Sequence, residues 1–260
     1  MSLARRVAAE AAGTALLLAA VVGSGIMGER LAGGNVALVL LANSLATGAA
    51  LSALILAFGP VSGAHFNPLV TLAFAAQRTL DRRSAVMYVL AQVVAAFAGV
   101  AIAHLMFGEP LFSTAQHARN GAGQWLSEGV ATFGLVAVIL GCARTRPAAV
   151  PYAVGAYIAA AYWFTASTSF ANPAVTLARA ASDSFAGIRP VAVPGFLMAQ
   201  AAGAAALEER GELESWAAPN PRGAYAMNVK SGPSLDRPRQ YAIGEGGAPS
   251  VWSRGRSRRR

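Results

Sequence analysis

Apolar and polar positions alternate in long blocks over the first 207 residues. Six apolar runs stand near Val7–Met27, Asn35–Gly59, Ala85–Phe107, Trp125–Cys142, Val150–Ala166 and Val191–Leu207. A helix needs about 20 apolar residues to cross a bilayer, with about 17 as the lower limit. The last two runs are marginal on that scale. Two shorter apolar elements lie between the runs, Pro68–Gln77 and Pro173–Ala181, and each is too short to span. The pattern stops abruptly at Glu208-Glu209-Arg210. From there to Arg260 the chain is rich in Gly, Pro, Ser and charge, and this composition predicts disorder. The reading is an all-α membrane domain over residues 1–207 and a basic tail over 208–260.

Composition agrees with a membrane protein. The chain is 55% hydrophobic and 13% charged, whereas a soluble domain carries about a quarter charged residues. The net charge of +9 comes from 20 Arg and one Lys, Lys230. Such an excess suits loops on the cytoplasmic side and does not by itself imply nucleic acid. The single cysteine, Cys142, excludes an intrachain disulfide and argues against a Cys-rich metal site. Arg5 and Arg6 ahead of an apolar run resemble a signal peptide. The run is long enough to span, however, and no clear cleavage site follows, so it reads as the first membrane helix.

Alternate loops carry different charge. Arg5, Arg6, Arg78, Arg82, Arg83, Arg144 and Arg146 fall on one side, and Arg30, Arg119, Arg179 and Arg189 on the other. Seven against four predicts cytoplasmic N- and C-termini for six spans.

The two short elements are copies. Asn67-Pro68-Leu69-Val70-Thr71-Leu72-Ala73 and Asn172-Pro173-Ala174-Val175-Thr176-Leu177-Ala178 lie 105 residues apart. Glu10-Ala11-Ala12-Gly13-Thr14 is echoed by Glu128-Gly129-Val130-Ala131-Thr132, and Gln92 by Gln200. Repeat one covers about 7–107 and repeat two about 125–207. Three spans per repeat is an odd number, so the second repeat inserts upside down. Asn is a strong helix N-cap, and Pro suits the first turn. Each copy therefore predicts a short helix starting at membrane depth. Irregular backbone there is tolerated only when buried in protein or lining a wet cavity.

On these residues the chain resembles the aquaporin and aquaglyceroporin family, the major intrinsic proteins. The resemblance spans roughly Ala8 to Leu207. It rests on Ser62-Gly63-Ala64-His65-Phe66-Asn67-Pro68, on Asn172-Pro173-Ala174, and on Glu10 and Glu128. The family's first triplet is usually Asn-Pro-Ala, and here it is Asn67-Pro68-Leu69. The resemblance implies six transmembrane helices plus two re-entrant half-helices. It also implies a homotetramer in the cell inner membrane with one pore per subunit, passing small neutral solutes without cofactor or metal. Asn67 and Asn172 would donate to the passing solute. Glu10 and Glu128 would hold the irregular backbone before each half-helix, which is favoured over a proton relay. His65 would line the approach, as a static polar group rather than a pH gate.

Four family positions form a narrow ring. Ungapped counting from the two Asn residues assigns Thr47, Ala160, Ser169 and Val175. The last slot is nearly always Arg in the family. Its replacement by Val predicts a wide, uncharged filter suited to glycerol, urea or arsenous acid, as in a bacterial branch linked to arsenic resistance. An orthodox water channel is the alternative. Arg179, one helical turn on, is the other candidate for the missing charge. A carboxylate-driven transporter lacks midplane acids, and an enzyme lacks a Cys/His pair, metal spacing or nucleotide loop. A nucleic-acid- or lipid-binding tail is weak, with nine Arg and Lys230 against six acids beyond residue 207. That tail reads either as an authentic cytoplasmic segment or as the frame-shifted end of an Ala- and Arg-rich gene, and the sudden change suits the second.

Overall fold

A computed structural model describes residues 1–208, and the expectations for the tail lie outside these described residues. The regular secondary structure of the described residues is all helical. Its α-helices are α1 (Leu3–Leu31), α2 (Val36–Ser62), α3 (Pro68–Ala76), α4 (Arg82–Phe107), α5 (Ala122–Thr145), α6 (Val150–Phe164), α7 (Pro173–Arg179) and α8 (Val193–Glu208). Short 3-10 turns precede α6 and α8. Among the described residues, five helical stretches are long and apolar enough to cross a membrane: α1, α2, α4, α5 and Pro190–Leu207. α6 is shorter, at 15 residues. At 1.5 Å per residue it reaches about 22 Å, less than a hydrocarbon core of about 30 Å.

Capping chemistry sets the helix starts. Ser2, Asn35 and Asp81 accept from the amides of Arg5, Leu38 and Ser84. Asn67 and Asn172 do the same for α3 and α7, with Pro at the first position of each. Gly63, at φ +92°, closes α2, and the chain then turns sharply into the segment before α3.

Packing follows the repeat. α1 lies against α2 and α4, and α5 against α6 and α8, while α2 meets α6 between the halves. Each short helix also reaches across: α3 touches α8, and α7 touches α4. Small residues let the long helices close. A Cβ on Gly99 would sit 2.3 Å from the Ala15 carbonyl oxygen, and one on Gly203 would sit 2.2 Å from that of Gly129. These atoms are backbone and cannot swing aside. Gly99→Ala is expected to cost about 1–3 kcal/mol through overpacking. A lower midpoint of thermal unfolding in detergent would register it.

The inner faces form one large apolar cluster that includes Leu17, Val21, Leu51, Phe66, Val70, Leu135, Ile158, Tyr162, Phe170 and Val175. Leu16, Leu45, Val94, Leu126, Trp163 and Met198 point outward and are exposed. That belt of apolar side chains is the surface a lipid environment would cover.

Candidate functional site

A cavity of about 680 Å³ runs between the two halves. Asn67 and Asn172 both line it, with Val70 and Val175 on the same two short helices. Each Asn is fixed from both ends of its amide. Asn67 Oδ1 accepts from Leu69 N at 2.9 Å, and Asn67 Nδ2 donates to the Ala171 carbonyl at 2.8 Å. Asn172 Oδ1 accepts from Ala174 N at 3.0 Å and Val175 N at 3.3 Å, and its Nδ2 donates to the Phe66 carbonyl at 2.8 Å. The halves thus exchange hydrogen bonds across their contact. A primary amide carries two N–H donors, so each Asn keeps one for the cavity it lines.

The segments before α3 and α7 carry matching backbone strain. Ala64 and Phe66 have φ of 51° and 49°, and Ser169 and Ala171 have 50° and 46°. Non-glycine residues at such angles cost about 1–3 kcal/mol each and persist only where surroundings over-determine them. Two buried carboxylates do so. Glu10 accepts from Ser62 Oγ at 2.6 Å, His65 N at 2.9 Å, Phe66 N at 2.7 Å and Gln92 Nε2 at 2.8 Å. Glu128 accepts from Phe170 N and Ala171 N, each at 2.9 Å, and from Gln200 Nε2 at 2.6 Å. The two glutamine amides also donate to Thr71 and Thr176 on the short helices. With their amides turned toward the glutamates, these segments leave the Phe66 and Ala171 carbonyls for the opposite Asn.

His65 lines the cavity on the α3 side, half buried, its Nδ1 3.2 Å from Thr71 Oγ1 and its ring stacked on Phe74 at 4.8 Å. Thr47, Ser169 and Val175 line the cavity as well. Ala160 does not: it is exposed on the outer face of α6, and this part of the counted ring is corrected. The inward residues of α6 are Val154, Ile158 and Tyr162, one turn apart. A residue two positions after Ile158 lies about 200° round the helix, which turns Ala160 away. Tyr162 faces the cavity instead, with its hydroxyl 3.2 Å from Thr47 Oγ1. The i, i+4 spacing of Val154, Ile158 and Tyr162 is the signal that fixed-length counting overlooks.

Arg179 also lines the cavity, 1% exposed, although Val175 fills the slot counted for an arginine. Among the described residues there is no group of His, Cys, Asp and Glu side chains that could hold a metal ion.

Residues 1–150 match the major intrinsic protein family. The chain belongs to that family. It is 58% identical over 202 residues to aquaglyceroporin AqpS of Rhizobium meliloti (strain 1021), an alignment covering 78% of this chain and 86% of the relative. Aquaporin NIP1-4 of Oryza sativa subsp. japonica is 35% identical over 170 residues, 63% of this chain and 61% of that protein. Glycerol uptake facilitator protein-like 6 of Lactiplantibacillus plantarum is 34% identical over 107 residues, 39% of this chain and 50% of its own. Major intrinsic proteins are membrane channels rather than enzymes, and the apolar helices here are those of an integral membrane protein.

Proposed function

We propose that this major intrinsic protein is a passive channel for small neutral solutes of the glycerol, urea and arsenous acid kind, with some water passing alongside. The cavity is the route, and the paired Asn67 and Asn172 caps stand at its middle. One observation carries the reading: two asparagine amides, each locked by its own helix and by the opposite half, face the same cavity. The relative named an aquaglyceroporin supports a polyol-sized solute over water alone.

In this reading six helices cross the bilayer, and α3 and α7 enter as half-helices from opposite faces. The termini are cytoplasmic, and four copies assemble in the cell inner membrane. A solute oxygen accepts the remaining N–H of Asn67 or Asn172 as it passes. Held by fixed donors, a water there is poorly placed to relay a proton. The positive ends of the two short helices disfavour cations at the same point. The narrow stretch is set by Thr47, Tyr162, Ser169 and Val175. Val175 removes a guanidinium fork from its slot and leaves room there.

Stopped-flow light scattering on proteoliposomes tests this. Glycerol, urea and arsenous acid are expected to enter faster than into empty vesicles. Fast water flux with no solute flux above empty vesicles would return the protein to the orthodox water channels.

A further inference from the structure

A second recess, of about 290 Å³, opens at the end of the molecule opposite the N-terminus and shares no lining residue with the central cavity. Three segments distant in sequence meet there. α1 brings Glu29 and Arg30 in its last turn. α4 stops at Gly108, φ +68°, and in the turn that follows Glu109 N donates to the His104 carbonyl at 2.9 Å. That turn sets the Glu109 carboxylate beside Arg30. The loop after α7 brings Asp183 and Ser184, with Asp183 N donating to Ser113 Oγ at 3.0 Å.

Three carboxylates and one guanidinium line this recess. Each carboxylate is held through one oxygen. Glu29 Oε2 accepts from Phe185 N at 2.9 Å, Glu109 Oε1 from Arg30 Nη2 at 2.7 Å, and Asp183 Oδ1 from Gln116 N at 2.9 Å. The second oxygens of Glu29, Glu109 and Asp183 remain as acceptors. Among these charged groups two negative charges stand uncompensated, and a cleft lined by one sign of charge concentrates its field. The wall is polar as well. His104 is 1% exposed, and its ring belongs to the lining. Its Nε2 lies 2.9 Å from Ser182 Oγ, which lies 2.9 Å from Ser184 Oγ, while its Nδ1 meets no partner. Buried polar atoms are nearly always hydrogen-bonded, and this exception stands in the wall of an acidic recess. With Nε2–H donating to Ser182, Nδ1 is an acceptor.

We infer that this recess binds a short organic dication of the diamine class, its ammonium groups donating to the open oxygens of Glu29, Glu109 and Asp183. Size, spacing and charge choose the class. One water takes about 30 Å³ in the liquid, so the recess has room for a small molecule. Among the described residues no group of His, Cys, Asp and Glu side chains is gathered closely enough to hold a metal ion. Acids set apart in this way suit separate N–H groups of one molecule. Two uncompensated charges match two ammonium groups, and a neutral polyol would leave both unmatched. The inference is independent of the solute reading, because binding is measured without flux.

Isothermal titration calorimetry on the full chain in non-ionic detergent tests it, with diaminobutane as the probe. Diaminobutane is expected to bind about tenfold or more tightly than butylamine, and butanediol is expected not to compete. Glu29→Gln and Asp183→Asn each keep an acceptor for the amide they hold and remove one charge. Each is expected to weaken diaminobutane binding by about tenfold or more. Asp81→Asn removes an exposed acid at the other end of α4 and is expected to change nothing. Diaminobutane binding no tighter than butylamine, or unchanged in both Glu29→Gln and Asp183→Asn, overturns the inference. An equal loss in Asp81→Asn also overturns it, because general surface charge would then set the affinity. Calcium that displaces diaminobutane at equal or lower concentration overturns the choice of an organic cation. None of these results bears on glycerol or urea flux, so the solute reading stands or falls separately.

Discussion

Glu128→Ala is expected to abolish flux and to leave little monodisperse protein in detergent. The side chain is fully buried, and its two oxygens accept from Phe170 N, Ala171 N and Gln200 Nε2. Removing it strands three donors out of reach of bulk water. Each costs about 1–3 kcal/mol, and bonds to a charged acceptor lie at the upper end. That sum is comparable with a typical folding stability of about 5–15 kcal/mol. It also releases the strained backbone at Ser169 and Ala171, whose left-handed angles depend on the bonds that follow them. Glu10→Ala strands four donors and should also be severe. Glu128→Ala should be the worse of the two, because it also removes the negative charge acting on Arg119 and Arg179. Glu128→Gln should fall between: it keeps one acceptor oxygen but turns an NH₂ toward a donor. Size-exclusion profiles, thermal midpoints and reconstituted flux measure the series. A Glu128→Ala protein as stable and as active as wild type would remove the carboxylate from this role.

Val175→Arg is expected to cut glycerol and urea flux by about tenfold or more, a barrier increase of about 1.4 kcal/mol. Val175 is 5% exposed and lines the cavity beside Ser169 and Thr47. A guanidinium there occupies space on the route and presents five donors to each passing oxygen. It also stands one helical turn from Arg179, a like-charge pair that is itself unfavourable. Water, being smaller, should lose less than glycerol, so the water-to-glycerol ratio should rise. Parallel stopped-flow traces for the two solutes give that ratio. Glycerol flux equal to wild type would mean that residue 175 does not face the path.

What could be seen in the sequence was what local chemistry dictates. Asn67-Pro68 and Asn172-Pro173 carry their caps and first turns within three residues, so the starts of α3 and α7 are written in adjacent letters. Apolar runs announce α1, α2, α4 and α5 by length and composition alone. The side of α6 that faces inward was not available to simple counting, because it depends on how many residues the Thr165–Ala171 connector uses. Fixed-length counting therefore lands on Ala160, whereas the residue of α6 that lines the cavity at that end is Tyr162. Arg119 gave no signal, since it sits in a loop without periodicity and meets its acceptors only when residues 167–187 fold over it. Arg179 could be placed on the face of Val175 by helical spacing, but its stacking on Phe170 needed the structure.

The crossed bonds from Asn67 to Ala171 and from Asn172 to Phe66 join residues more than a hundred positions apart. Neither repeat holds the partner for its own asparagine. During synthesis the first half reaches the bilayer with Asn67 lacking its acceptor, and it stays so until the second half arrives. The centre of the molecule is thus the last place to become finished, and it closes as a mutual latch. A chain ending before Ala171 would present the first repeat as an open half-site, with the Asn67 amide and the Phe66 carbonyl both left without the partners that the second repeat supplies.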